Sequence, residues 1–462
     1  MTSLPSFLPS LRVAALCALA AAPAQAQSTT VSSTVSSTVS TTASSTVPQP
    51  SAADRALAIK VLRETPLIDG HNDLPWRIRE DSVRPADVPG YDLTKHTAGM
   101  TDLDRLKKGM LGAQFWSVYI PGETSASLYK PNGKVSSEPG YARVQLEQID
   151  IARRTIAAYP DRLEWATTAA GVRRAFKDGK VGSMLGMEGG HAIENSLGAL
   201  RAFYDLGVRY MTLTHNVTLD WADAALDSAR HGGLTPFGKE VVREMNRLGM
   251  LADLSHVSPG TMSDALTVTE APVIFSHSGA RALVDHRRNV PDSILRRVPK
   301  NGGIVMVPFV TDFVSKAAFE HENATTAERA ALKTQFPDDS AARQRGLKEW
   351  TAAHPAPPVM LTDVADHIDH VRQVAGVDHV GIGSDFDGIT DTVVGLEDVS
   401  KYPDLFAELA RRGWTEADLR KLAGENLLRV MTQAEAVAAR LQRERPASTA
   451  TIEELDHTPP HS

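Results

Sequence analysis

Between residues 55 and 435 the chain alternates two kinds of segment. One kind is short and apolar: TPLIDGHND (65–73), GAQFWSVYI (112–120), KVGSMLGMEG (180–189), VRYMTLTH (208–215), LGMLADLSH (248–256), APVIFSHS (271–278), GGIVMVPF (302–309) and HVGIGSDFDG (379–388). The other kind repeats its apolar residues at helical spacing, as in SLGALRAFYDLG (196–207), PFGKEVVREMNRLG (236–249) and MLTDVADHIDHVRQVAG (360–376). Short buried runs read as strands covered on both faces, and the amphipathic segments as the helices that cover them. Eight such units predict an α/β fold, a (β/α)8 TIM barrel, with a doubly wound open sheet as the alternative.

Position separates the two architectures. The polar residues capable of chemistry fall at the C-terminal ends of the runs: His71 and Asp73, Glu188, His215, His256, His277 and Asp385. A barrel delivers every strand end to one mouth, whereas an open sheet does not gather residues from so many strands. The barrel is therefore favoured. The segment 319–358 is polar and helix-prone and interrupts the seventh and eighth units. It reads as a helical insertion outside the barrel that decorates the surface rather than covering the site.

His71 and Asp73 lie two residues apart, so a strictly alternating strand turns both into the mouth. The bland reading is a histidine satisfied by backbone and an aspartate capping the next helix. Glu188, His256 and His277 add a carboxylate and two imidazoles from three further strand ends. A single ion needs about three or four protein ligands plus water. Five donors, one able to bridge, predict two ions about 3.5 Å apart. Zn²⁺ suits imidazole and carboxylate best, with Mn²⁺, Co²⁺ and Fe²⁺ compatible by ligand type. Beside this set, His215 could hydrogen-bond a developing oxyanion, Asp385 could shuttle a proton, and Arg288 in RRNVPD could fork a substrate carboxylate. Each has a plain structural alternative: a helix cap for Asp385, a surface position for Arg288.

The remaining histidines read differently. His191 is expected to orient a ligand rather than be one; His96, His321, His354, His367, His370, His457 and His461 read as structural or solvent-facing. Asp69 is expected to support His71 by accepting its second ring N–H, as metal-bound imidazoles commonly require.

Composition adds bounds. The 462 residues are 42% hydrophobic and 23% charged, with a formal net charge of −7. No basic stripe with interleaved aromatics is present in the sequence, which argues against nucleic acid as a partner. Arg12, the apolar VAALCALAAA and AQA at 24–26 predict a signal peptide over 1–26, hence a secreted or periplasmic protein. The one cysteine, Cys17, leaves with that segment, so no disulfide is expected. Residues 27–54 read as a Ser/Thr-rich disordered linker, 55–435 as the (β/α)8 domain that carries the candidate metal site, and 436–462 as a polar tail without a lipid-anchor signal, so no membrane anchor is expected in the mature chain. NVT at 216 and NAT at 323 are glycosylation sequons that matter only in a glycosylating host.

LIDGHNDLPW, MEGGHAIENSLGALRAFYDLGVRYMTLTHN, VVREMNRLGMLADLSHVS, APVIFSHS, RRNVPD and GLEDVSKYPDLFAELARRGWTEADLRKLAGENLLRV together resemble the membrane (renal) dipeptidases. These are the M19-type dinuclear zinc peptidases of the amidohydrolase-like barrels. The resemblance spans about residues 60–435. It implies hydrolysis of dipeptides, including ones with D- or dehydro-residues at the C-terminal position. It also implies metal ligation by His71, Asp73, Glu188, His256 and His277 with Glu188 bridging, substrate contact by His215 and Arg288, and proton transfer by Asp385. The chain departs from the mammalian members, which have disulfides and a lipid anchor and a much shorter 319–358 segment. Family members are usually dimers; without the inter-subunit cysteine, any homodimer here is non-covalent.

The expectation is thus a dipeptidase with two Zn²⁺ and a small peptide substrate. The alternatives are a metal-dependent amidohydrolase of β-lactams, lactones or N-acyl amino acids, and a non-catalytic metal-holding binding protein.

Overall fold

Nine parallel strands carry the architecture of the computed structural model, which describes residues 49–122 and 140–457. They are β1 (Leu67–Asn72), β2 (Leu111–Ser117), β3 (Leu163–Trp165), β4 (Val181–Glu188), β5 (Val208–Thr212), β6 (Leu251–Asp253), β7 (Ile274–Phe275), β8 (Ile304–Val307) and β9 (Val380–Ile382). β1 pairs with both β2 and β9, β2 with β4, and each strand from β4 to β9 with the next, so eight strands close into a barrel. Each predicted run holds one of these strands to within a residue. β3 is the ninth and was not expected. It pairs with Val181–Ser183 of β4, and β5 pairs with Leu185–Glu188. β2 spans Gly182–Gly186 of the same strand. β3 and β5 therefore share one edge of β4, end to end, opposite β2.

The barrel interior is filled rather than hollow. Ile68, Phe115, Met184, Tyr210, Ile274 and Met306 lie in one buried cluster, the layered filling that closed parallel barrels need. The outer helices follow from their sequences. Thr235 caps the helix Pro236–Leu248 through Gly238 N–H, and Gly249 ends it at φ 86°. Its apolar stripe, Val241, Val242, Met245 and Leu248, is buried.

Two boundaries differ from the sequence reading, and a third is not described. Residues 1–48, including the expected signal peptide, Cys17 and most of the linker, lie outside the described residues. Within the rest of the linker, a helix begins at Ala52, because Ser51 and Asp54 form a reciprocal capping box. The polar tail expected from 436 begins as the second half of the helix Asn426–Glu444, whose buried face continues through Ala434, Ala438 and Leu441. Beyond it, Thr451 and Glu454 cap a short helix, Ile452–Asp456. Ile452 is buried, and Asp456 accepts the Phe237 N–H at 2.9 Å. The charge of this segment hid one apolar anchor and a capping box. Among the described residues, no helix is long and apolar enough to cross a membrane.

The insertion is helical: Lys316–Gln335 packs on Ser340–Ala353. It leaves the barrel just after the C-terminal end of β8, the end at which the polar residues converge.

Candidate metal centre

The strand ends meet around Glu188, the last residue of β4. Its Oε1 lies 2.8 Å from His256 Nε2 and 3.4 Å from His277 Nε2, and its Oε2 lies 3.4 Å from His71 Nε2. Asp73 Oδ2 stands 3.2 Å and Asp385 Oδ1 3.9 Å from the same His71 nitrogen. Three sets of potential ligand atoms form: His71, Glu188 and His277; Glu188, His215 and His256; and His71, Asp73 and Asp385. Within each set the atoms lie within 4.8 Å of one another. All five residues expected as ligands are therefore together, with His215 and Asp385 at the margin of the cluster.

The strand β1 reaches this geometry by breaking the expected alternation. Asp69 pairs with Gln114 and Asn72 with Trp116, three residues against two, so β1 carries a one-residue bulge here. Asp69 therefore serves other neighbours than the ring of His71. Its carboxylate accepts from Ser384 N–H (2.8 Å), Ser384 Oγ (2.6 Å), the Tyr402 hydroxyl (2.7 Å) and the His71 backbone N–H (3.3 Å). The expected bond to the imidazole is absent, and Asp69 supports His71 through the main chain. Asp73 lies beyond the strand, at the N-cap of the helix Leu74–Arg79, but makes no side-chain cap bond. Its carboxylate turns back to His71 instead, which removes the helix-cap reading.

Sequence reading missed the groups that orient the rings. His71 Nδ1 is 2.7 Å from the Tyr210 hydroxyl, His256 Nδ1 is 3.1 Å from Asn216 Oδ1, and His277 Nδ1 is 2.8 Å from Ser276 Oγ. Each Nδ1 faces an oxygen, so each Nε2 is the nitrogen left to coordinate an ion beside Glu188. Ser276 Oγ also donates to Asp253, which Thr212 reaches from β5. A Cβ at Gly186 would overlap the Tyr210 ring, so this glycine makes the tyrosine's approach to His71 feasible. Asn216, expected only as a sequon, sits beside His256. His191 Nε2 lies 3.0 Å from the Ile120 carbonyl oxygen. His367 is buried in its helix and accepts the Ala280 N–H at 2.9 Å, the structural role expected.

The electrostatics favour a cation. Burial opposes charge on Glu188, but His71 and the bonds to His256 and His277 hold its carboxyl well below the usual range. Burial holds His256 and His277 well below the ordinary imidazole value, leaving them neutral donors. Burial would lower His71 too, but Tyr210 and the carboxylates of Glu188 and Asp73 outweigh it and raise it well above. Burial pushes Asp385 well above the carboxylate range. His71 Nε2 and Asp73 Oδ1 are buried without a hydrogen bond. Buried polar atoms left this way demand a partner, and a metal ion satisfies both chemically. His256 (φ 67°) and Asp385 (φ 68°) adopt left-handed backbone conformations, a form of local strain concentrated at functional sites.

A cavity of about 440 Å³ opens over the cluster, with Arg288 in its wall. Arg288 is buried, not a surface residue; burial lowers its guanidinium to about 10, so it stays charged at neutral pH. One of its amino groups lies 3.4 Å from the His277 carbonyl oxygen, while Nε makes no hydrogen bond.

Comparison with known proteins agrees with this geometry. The family model described as membrane dipeptidase (peptidase family M19) matches residues 55–445. The probable dipeptidase PvdM from Pseudomonas aeruginosa is 25% identical, with TM-score 0.69 over 84% of this chain and 99% of that one. A metallo peptidase from Rhodobacter sphaeroides, liganded with a phosphinate mimic of the dipeptide L-Ala-D-Ala, is 26% identical, with TM-score 0.63 over 80% and 99%. The dipeptidase AC, a metallo peptidase of family M19, is 27% identical, with TM-score 0.63 over 80% and 99%. The chain belongs to peptidase family M19, and the cluster of imidazoles and carboxylates at its barrel mouth is that of a metallo-dipeptidase.

Proposed function

We propose that this enzyme holds two Zn²⁺ ions and hydrolyses dipeptides with a free C-terminal carboxylate, including those ending in a D-residue. His71 and Asp73 would hold one ion and His256 and His277 the other, with Glu188 available to both. When bound, such a pair polarises a carbonyl and supplies a nucleophilic water near neutral pH. The chain's own residues do the rest. Arg288 receives the substrate carboxylate as a charged fork. His215 donates a hydrogen bond to the scissile carbonyl oxygen as negative charge develops on it. Asp385, whose burial raises its affinity for a proton, would in its ionised form take a proton from the attacking water and, once protonated, return it to the leaving amine.

The observation that carries this reading is Arg288: a charged guanidinium buried in the wall of the cavity over the donor cluster, with Nε unbonded. That arrangement suits a small ligand ending in a carboxylate. The phosphinate mimic of L-Ala-D-Ala bound by the Rhodobacter sphaeroides relative supports a dipeptide, and one with a D-residue. From the sequence of residues 1–26, the mature enzyme is secreted or periplasmic, and any homodimer is non-covalent.

The test is metal quantification together with a panel of L-L and L-D dipeptides and their C-terminal amides, before and after chelation. Two zinc ions per chain and cleavage of the free acids far above the amides are expected. Equal cleavage of acid and amide refutes the carboxylate clamp.

A further inference from the structure

The helical insertion is joined to the wall of the site by a continuous stack of rings. Arg288 Cζ lies 5.1 Å from the centre of the Phe313 ring. Phe313 stacks on His286, with ring centres 4.3 Å apart and planes 28° apart. His286 in turn meets Phe319 edge-on, at 5.3 Å and 82°. Phe319 belongs to the first turn of the insertion helix Lys316–Gln335, whereas His286 and Arg288 lie in the segment after β7.

Polar bonds hold the same segments together. Arg288 donates its backbone N–H to His286 Nδ1 at 3.1 Å. Asn289, next in sequence, donates to the Phe313 carbonyl oxygen at 2.8 Å and to the Val284 carbonyl oxygen at 2.9 Å. The Arg288 backbone is thus tied down, but the end of its side chain has one long hydrogen bond and an aromatic face. The face of Phe313 is the main restraint on the plane of the guanidinium.

We propose that Phe319 is a positioning residue for substrate recognition: it clamps His286 against Phe313, which holds the Arg288 fork in the orientation that receives the substrate carboxylate. The insertion, expected to be surface decoration, is therefore part of how the enzyme distinguishes free dipeptides from blocked ones. This rests on the clamp reading of Arg288. Without the Phe319 edge, the His286 and Phe313 rings gain freedom, and substrate binding must order the fork again. The loss falls on KM, because the carboxylate contact is made in the ground state and the transition state alike.

The experiment measures kcat, KM and zinc content for the full chain and for Phe319→Ala, Phe319→Leu and Arg288→Ala, on a dipeptide and its C-terminal amide. Phe319→Ala is expected to raise KM for the free acid roughly two- to tenfold, with kcat within about twofold, zinc unchanged and amide cleavage unchanged. Phe319→Leu keeps apolar bulk but loses the ring edge, and shifts KM the same way by about twofold; it carries the test should the alanine variant not fold. An unchanged acid KM in both variants overturns the inference, as does an equal loss on acid and amide. Arg288→Ala separates the two layers. If it leaves the acid-to-amide ratio intact, the clamp reading falls and this inference with it. If it collapses that ratio while the Phe319 variants preserve it, only the role of Phe319 falls.

Discussion

Tyr210 and His71 meet across the barrel interior: the phenolic oxygen is 2.7 Å from His71 Nδ1 and 3.3 Å from the Gly70 carbonyl oxygen. The hydroxyl donates to the carbonyl and accepts from the ring Nδ1–H, which leaves Nε2 as the nitrogen that would face an ion. Tyr210→Phe leaves a buried ring N–H without an acceptor. It should weaken metal affinity roughly 10- to 100-fold, the usual size for loss of such a support. Competition against a graded chelator measures this; unchanged affinity would show that packing alone orients the ring.

Glu188→Gln removes the one carboxylate that faces all three Nε2 atoms. Zinc content should drop and hydrolysis fall by roughly 100-fold or more, while the fold, checked by circular dichroism, is retained. Retention of both ions in the purified variant would contradict the shared-ligand role.

Asp385→Asn keeps the size of the side chain, and asparagine accepts the left-handed backbone at this position. It abolishes proton uptake. The expected result is a fall in kcat of roughly 10²–10⁴-fold with zinc content and KM near those of the parent enzyme. A parallel loss of zinc would mark Asp385 as a ligand.

His367 links acid pH to stability away from the metal cluster. Burial, aided by the charge of His370, lowers it from the ordinary 6.5 to about 4, and its neutral Nδ1 accepts the Ala280 N–H. Between those values the unfolded chain binds more protons, so stability falls as pH drops from 6.5 toward 4 and is then flat in this contribution. The total is on the order of 3 kcal/mol. His367→Gln retains an acceptor but cannot titrate. Urea unfolding from pH 7 to 4 should show a smaller loss for the variant than for the parent; equal slopes would assign the acid sensitivity elsewhere.

The barrel was legible because each of its strands is a local run of apolar residues, and because the site donors end those runs. Short-range pattern carries that much. β3 is LEW, no shorter than β6, β7 or β9, but unlike them it lies in no apolar run: Asp161 and Arg162 precede it and Glu164 interrupts it. The Nδ1 partners of His71, His256 and His277 were hidden for another reason. Tyr210 is 139 residues from His71 in sequence, and alternation says that a tyrosine points inward without saying which ring it meets. Asn216 follows His215 directly but lies one residue past the predicted run, and was read only as part of a sequon. The demotion of Asp69 to a supporting role was sound, yet its partner was misjudged, since a bulge in β1 cannot be read from a two-residue alternation. The insertion's tie to Arg288 runs through ring stacking between three separated segments, which no single stretch announces.

The left-handed backbone at His256 and Asp385 has a consequence for how this enzyme can change. Few side chains settle at such a φ; histidine, asparagine, aspartate and glycine do so at least cost, and β-branched residues hardly at all. Each position is thus filtered twice, once for its donor atom and once for its main-chain shape. The alternatives open to drift or to directed evolution shrink to a handful. A valine scan here would report a distorted loop rather than a missing ligand, whereas asparagine at either position separates the two effects.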